Sequence, residues 1–114
     1  MTTLAMINRS AVIVHHKQPY IDWATSLDDS GMAPSPDDER TVYLVPVVES
    51  DLEIEAMLVV GYDAIFEREL ENWHLIEADW PTNRTFAMFQ EWFDVEVHSM
   101  VTDLCDVPLL DDEF

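Results

Sequence analysis

The pattern of hydrophobic and polar residues predicts two β-strands. Residues 10–16 contain the continuous apolar run Ala11-Val12-Ile13-Val14, which is typical of a strand that is buried on both faces. Residues 41–48 form a second run rich in Val, and Pro46 within it removes a backbone donor. We therefore expect the second strand to lie at a sheet edge, to contain a bulge or to end near this proline.

Spacings of three and four between apolar residues predict three helices. Pro19 suits the first turn of a helix over residues 19–27. Residues 51–73 form a long amphipathic helix, and Ser50 before it and Glu53 in its first turn have the spacing of a capping box. The third helix is expected over residues 82–105. Residues 95–101 also alternate as a strand would, but we favour helix because the helical spacing continues unbroken from Phe86.

The order of these elements predicts one α+β domain over residues 10–107, with a flexible tail at 1–9 and an acidic tail at 108–114. The connection between the two strands is about 24 residues long, which is enough for a parallel crossover. Two strands alone make a poor sheet. Either a third strand is hidden in the sequence, or two subunits join their sheet edges.

Charge limits the partners that this chain can bind. It has 24 acidic and five basic residues, a net charge of −19. Residues 50–114 hold 17 acidic and two basic residues, whereas residues 1–49 hold seven and three. This charge repels phosphate backbones and anionic lipids, so we expect no direct binding to nucleic acid or membranes and a basic protein as partner. Solubility, or origin in a salt-rich cell, would also explain the charge.

Carboxylates on the predicted helices are the main candidates for partner binding. A carboxylate row on a rigid helix can imitate the spacing of backbone phosphates and compete for the basic groove of a nucleic-acid-binding protein. Two tryptophans fit the helical stripes least well and are candidates for exposed contacts. The predicted partner-binding residues are Asp63, Glu67, Glu71, Glu91, Asp94, Trp80 and Trp92.

One group of residues could support metal binding or acid–base chemistry. Glu91, Asp94 and His98 have spacings of three and four, which would place them on one helix face. A solvated polar face gives the same pattern. His15 and His16 are neighbours on a strand and point to opposite faces, so they cannot easily share a metal. The sequence has no Gly-rich phosphate loop and no nucleophile elbow, so we predict no catalytic residue and no cofactor.

The cysteine content and the lack of recognisable targeting signals predict a cytoplasmic location. The single cysteine, Cys105, cannot form an internal disulfide. No segment approaches the ~20 apolar residues of a membrane span, and the N-terminus lacks the pattern of a signal peptide. Met6 is an alternative start to Met1, because the structured pattern begins after it.

Short motifs spread over the chain resemble an uncharacterised family of short acidic bacterial proteins. They are Asn8-Arg9-Ser10-Ala11-Val12, Lys17-Gln18-Pro19-Tyr20, Trp23, Trp80-Pro81, Arg84, Phe89, Trp92-Phe93, His98-Ser99-Met100 and Asp103-Leu104-Cys105-Asp106. The resemblance implies a bacterial cytosolic protein and implies no activity. In size and charge alone, the chain is also similar to phage nucleic-acid mimics, including anti-CRISPR proteins.

Three functional hypotheses follow from the sequence. The first is a non-catalytic protein that docks its acidic helical face on a basic protein, and its sharpest form is a nucleic-acid-mimic inhibitor. The second is a small metal-binding protein or metal-dependent enzyme that uses Glu91, Asp94 and His98. The third is a homodimeric regulatory adaptor that is joined through an unpaired strand edge.

Overall fold

A computed structural model describes residues 5–35, 40–105 and 107–110. Its elements in chain order are β1 (Ala5–Met6), β2 (Ser10–His16), α1 (Gln18–Ser26), β3 (Val42–Val45), α2 (Asp51–Trp73), a 3-10 helix (Glu77–Asp79), α3 (Phe86–Trp92), β4 (Phe93–His98) and β5 (Thr102–Asp103). The predicted α+β class and the number of α-helices are confirmed, whereas the prediction of two strands is wrong, since the described residues form five. Within the predicted tails and the loop after α1, residues 1–4, 36–39 and 111–114 lie outside the described residues, as does Asp106.

Strand β2 is the centre of a three-stranded sheet with the order β3-β2-β4. Its predicted bounds are confirmed, and its apolar run is largely buried. Both neighbours pair with it in the antiparallel direction, with Ser10 opposite Val45 on β3. The expected parallel crossover is therefore wrong. Helix α1 is only nine residues long and an irregular segment follows it, so this connection does not act as a crossover helix.

Strand β4 is the third strand, and the prediction of a single helix over residues 82–105 is wrong. The helix α3 stops at Trp92, and β4 then alternates the inward residues Phe93, Val95 and Val97 with outward polar residues. The strand pattern prevails because β2, as a central strand, needs backbone partners on both of its edges. The ladder continues beyond β2, where the Lys17 N–H donates to the Trp92 carbonyl at 2.8 Å.

The other predicted elements form close to the expected residues. Helix α2 has the predicted bounds, and the Ser50 hydroxyl accepts a hydrogen bond from the Glu53 N–H at 3.2 Å. Strand β3 is shorter than predicted, because it ends directly before Pro46, and it lies at the sheet edge. In the described ranges, no helix combines the length and the apolar character that crossing a membrane requires.

The helices and the inward face of the sheet enclose one aromatic-rich core. The large, fully buried side chains of this core come from β2 and from all three α-helices: Tyr20, Phe66, Phe89, Leu70, Val12 and Val14. The opposite face of the sheet carries exposed side chains, among them Val42 and Leu44 on β3. The sheet thus has one covered face and one open face.

The two shortest strands form a separate ribbon. Strands β1 and β5 pair in the antiparallel direction, and the Ile7 N–H donates to the Val101 carbonyl at 2.8 Å. Apolar side chains around and after this ribbon are exposed, including Met6, Met100 and Leu104. The radius of gyration is 16.2 Å, whereas a compact chain of this length would have about 13 Å. The C-terminal part of the described chain therefore adds little to the core.

Candidate functional site

A large apolar groove lies between α2 and the segment that contains β3. Its volume is about 710 Å³. One wall is formed by residues 43–48, and the other wall by one face of α2. The helical residues of this wall are Glu53, Ala56, Met57, Val60, Gly61, Ala64 and Ile65. Recurrence of these residues every three or four positions gives the groove a continuous apolar wall along the helix.

Small side chains on α2 keep the groove open. Ala56, Gly61 and Ala64 line it with small side chains or none, and a methyl group added to Gly61 would meet no atom within 4 Å outside the surrounding helix backbone and its chain neighbours. Val60 at the rim is 88% exposed. Such a contiguous apolar surface usually marks a binding site.

The strand wall of the groove ends in an edge that carries no charge. Strand β3 has the sequence Val-Tyr-Leu-Val, and Val42 and Leu44 are 54% and 48% exposed. In the described part of the chain, β3 pairs only with β2, so its second edge has no strand beside it. A free edge presents backbone donors and acceptors that another strand can satisfy.

Four carboxylates lie within or directly before the first turns of α2, and one of them is at one end of the groove. They are Glu49, Asp51, Glu53 and Glu55, and all are exposed. Glu53 lines the groove itself and accepts a hydrogen bond from the Glu49 N–H at 2.8 Å. The positive end of the α2 dipole stabilises carboxylates in this first turn. The groove therefore combines an apolar floor with an acidic end.

The predicted acidic row on α2 is largely occupied by arginines of the same chain. Arg84 binds Asp63 at 2.8 Å and Glu67 at 2.6 Å, and Glu71 pairs with Arg68 at 3.2 Å. The Arg84 side chain is only 15% exposed, and its hydrogen bond to Asp63 raises its pKa above the usual range. This row therefore fastens the segment before α3 onto α2.

The two candidate tryptophans are less exposed than we expected. Trp80 is buried, and its indole N–H donates to the His74 carbonyl at 2.8 Å, so the expectation of an exposed contact is wrong there. The carbonyl partner removes the cost of burying the indole donor. Trp92 is half-buried and packs on Phe66, with ring centroids 5.3 Å apart.

The three candidate metal ligands do not share a helix face. Glu91 lies on α3, whereas Asp94 and His98 lie on β4, because the backbone changes from helix to strand at Phe93. Over residues 5–35, 40–105 and 107–110, no three His, Cys, Asp or Glu side chains are placed to hold a metal ion. Asp94 instead has Lys17 at 3.8 Å.

His98 takes part in a different cluster, on the open face of the sheet. Its Nε2 lies 2.5 Å from Glu96, whose other carboxylate oxygen lies 3.2 Å from Nε2 of His15. Hydrogen bonds from His98 and then from His15 lower the pKa of Glu96. This edge of the sheet is therefore polar and charged, unlike β3.

A buried carboxylate, which the sequence reasoning missed, fastens β3 to α2. Glu69 is 4% exposed, and one of its oxygens lies 2.8 Å from Nε2 of His16 while the other accepts a hydrogen bond from the Tyr43 hydroxyl. The Tyr20 hydroxyl donates to the Glu69 carbonyl at 2.6 Å. Burial raises the pKa of both Tyr20 and Tyr43 well above the usual range. Because both carboxylate oxygens have partners, we interpret this network as structural.

The sequence contains signals for both missed features. Glu69 falls on the same helical stripe as Phe66 and Leu70, where an acidic residue is unusual. Val60 is an apolar residue outside that stripe, and it indicated a second apolar face on α2. The groove itself depends on where β3 lies relative to α2, which no local pattern predicts.

Comparisons with known proteins leave the resemblance to short acidic bacterial proteins as a prediction. No protein-family model matches the chain, a search of the curated proteins finds no match, and a search of the solved structures finds none.

Proposed function

We propose that this protein is a non-catalytic binding protein that docks on a basic protein surface through its β3–α2 groove and the carboxylates at the start of α2. The observation that supports this most is that Glu53 lines an apolar groove of about 710 Å³, and that three further exposed carboxylates, Glu49, Asp51 and Glu55, lie within four residues of it in sequence. An apolar contact supplies affinity, and complementary charge supplies selectivity and a fast association rate.

The distribution of charge favours the start of α2 over the middle of this helix as the docking site. Asp63, Glu67 and Glu71 already have arginine partners, so less of their charge is available to another protein. Glu91 and Asp94 form a second, separate acidic candidate patch near the junction of α3 and β4. With a net charge of −19, the whole chain attracts cationic proteins and repels acidic ones.

The most specific form of this hypothesis is that the partner is a nucleic-acid-binding protein. Its Lys and Arg side chains are arranged to meet phosphates, and carboxylates on a rigid helix would compete for the same surface. If this version is correct, duplex DNA or RNA will displace the partner from this protein. A basic partner that duplexes do not displace would support docking without mimicry.

The test is capture from bacterial lysate by the immobilised protein at about 50 mM and 500 mM salt, where surface electrostatics differ most. Two matched variants locate the contact: Glu49→Gln with Glu53→Gln, and Glu91→Gln with Asp94→Asn. Each removes two charges. We expect basic proteins to be retained at low salt, and the first pair to reduce retention more than the second. Retention of no basic protein at low salt would overturn the proposal.

A homodimeric adaptor is the second candidate, because β3 has a free edge in the described part of the chain. Two chains of net charge −19 repel each other, which weakens this alternative. Sedimentation equilibrium over a range of salt concentrations decides between them. A dimer at moderate salt would favour the adaptor, and a monomer at high protein concentration would remove it.

A further inference from the structure

We propose that the partner contributes an extended segment with alternating apolar and basic side chains, and that this segment adds as a fourth strand to the free edge of β3. This inference rests on the proposed function and specifies how the groove is used. It predicts backbone pairing with residues 42–45 in addition to side-chain contacts. An acidic surface that only attracts cations would not need such pairing.

The geometry of the edge suits an added strand. Neighbouring strands lie about 4.8 Å apart, and alternate side chains point to opposite faces of a sheet. One set of side chains of an added strand would enter the groove above Val60, Gly61 and Ala64 on α2. The other set would lie beside Val42 and Leu44 on the open face. The side chains that enter the groove should therefore be apolar, whereas those on the open face are exposed to solvent and can be basic, with their aliphatic stems on Val42 and Leu44.

The length of the edge limits the contact. Strand β3 has four residues, and Pro46 follows it without a backbone N–H. Four residues of strand span roughly 13 Å. Pairing is therefore short, and the groove must supply much of the affinity. The groove extends past the strand to Val47 and Val48, so it offers contacts beyond the paired residues.

Charge complementarity selects a basic segment over the other occupants. Glu53 lines one end of the groove and is hydrogen-bonded to the backbone N–H of the exposed Glu49, so Lys or Arg at that end of the segment would meet a carboxylate. A second copy of this chain brings a net charge of −19 to the same surface. The C-terminal segment of the chain itself contains Asp111-Asp112-Glu113, which these carboxylates repel.

Peptide probes can test this proposal before any partner is known. The first probe is a seven-residue peptide of alternating Val and Lys, with a fluorophore at one end. The second has the same side chains but N-methyl groups on alternate amides along one edge, which removes the donors of that edge. The third alternates Val with Glu. Fluorescence anisotropy at about 50 mM salt gives each Kd, at an ionic strength where weak charged contacts are visible.

Two variants of the protein form the matched pair. Val60→Lys places a charge in the groove, and Val59→Lys places the same charge next to it on α2, outside the groove lining. Both positions are exposed, so both variants should fold, which circular dichroism checks. We expect Val60→Lys to raise the Kd of the Val–Lys peptide by about tenfold or more, and Val59→Lys by about twofold or less.

The backbone arm of the experiment is independent of charge. The Val–Lys peptide should slow amide hydrogen exchange at residues 42–45, and N-methylation should weaken binding by about tenfold or more. Equal binding of the N-methylated peptide would overturn strand addition. Stronger binding of the Val–Glu peptide would also overturn it.

The outcomes separate this inference from the function on which it rests. If the Val–Lys peptide binds both lysine variants equally and its affinity falls with salt, the acidic docking function survives and the groove proposal fails. If no basic peptide binds and no basic protein is captured, both fail. If sedimentation shows a dimer that Val60→Lys dissociates, a second copy occupies the groove and the proposal of a basic segment is wrong.

Discussion

The two edge strands of the sheet differ in charge and in support. Strand β4 carries Asp94, Glu96 and His98 on its outward face, and its first residue, Phe93, is buried in the core. Strand β3 carries only apolar residues outward, and its inward residues, Tyr43 and Val45, are half-buried. One edge is charged and well anchored, and the other is apolar and less anchored.

This difference bears on why the chain is acidic. Charged residues on an edge strand discourage pairing with other chains, and β4 has this protection. A sequence with 24 acidic residues that served solubility alone would be expected to protect both edges. Instead, residues 40–48 contain none of the 24. The lack of charge at β3 therefore agrees with the docking site that we propose there.

The largest expected effect is a difference in stability between variants of the two edge strands, β4 and β3. Phe93→Ala removes a side chain that is 2% exposed and should lower the free energy of unfolding by about 3–5 kcal/mol. Val45→Ala removes a half-buried side chain and should cost about 1 kcal/mol. Urea unfolding at pH 7 measures both. Equal losses would show that the two edges are anchored equally.

The next effect concerns the hydrogen bond that fastens β3 to α2. Tyr43→Phe leaves one oxygen of the buried Glu69 carboxylate without its donor, which should cost about 1–3 kcal/mol. Tyr62→Phe is the control, because the Tyr62 hydroxyl makes only a long bond of 3.4 Å to the Arg84 carbonyl. A smaller loss in Tyr43→Phe than in the control would contradict this role of the network.

The same residue should affect the alkaline limit of stability. The pKa of Tyr43 is raised in the folded protein by burial and by the hydrogen bond to Glu69, so folding favours the neutral phenol. The full contribution of Tyr43 to the free energy of unfolding is present below the pKa of tyrosine in the unfolded chain, which is about 10. This contribution is lost as the pH rises above that value. Relative to wild type, Tyr43→Phe should lose less stability between pH 9 and pH 11, as urea unfolding at each pH would measure.

A smaller effect tests the open space in the groove. Gly61→Ala adds a methyl group where no atom lies within 4 Å, and it should raise the free energy of unfolding by up to about 1 kcal/mol because Ala favours helix. Gly31→Ala is the control, since Gly31 has a φ of +78° that Ala adopts poorly, and it should destabilise. A loss of stability in Gly61→Ala would mean that the added methyl group clashes with neighbouring atoms in the groove.

The smallest effect concerns the charged edge. Hydrogen bonds from His98 and His15 lower the pKa of Glu96, so this carboxylate contributes to stability above its unfolded pKa of about 4.3 and loses that contribution as the pH falls. NMR titration of the Glu96 carboxyl should show the lowered pKa. His98→Ala should raise that pKa, and an unchanged value would exclude His98 as the main cause.

Local patterns were sufficient for elements whose sequence supports one conformation only. Helix α2 combines a capping box with an apolar stripe, and β2 is a continuous β-branched run, so both have their predicted bounds. Residues 93–98 fit both a helical and a strand spacing, and the pattern alone did not resolve them. Pairing with β2 decides the outcome, because the backbone of a central strand must be satisfied along its whole length.

The sequence by itself determined the α+β class, the bounds of β2 and α2, and the excess of acidic charge, because these follow from local spacing and composition. Only the tertiary structure decided which carboxylates are available to a partner. Asp63 and Glu67 meet Arg84 from a segment beyond α2, and Glu69 meets His16 and Tyr43 across the core. Such contacts join residues far apart in sequence, as does the groove between β3 and α2.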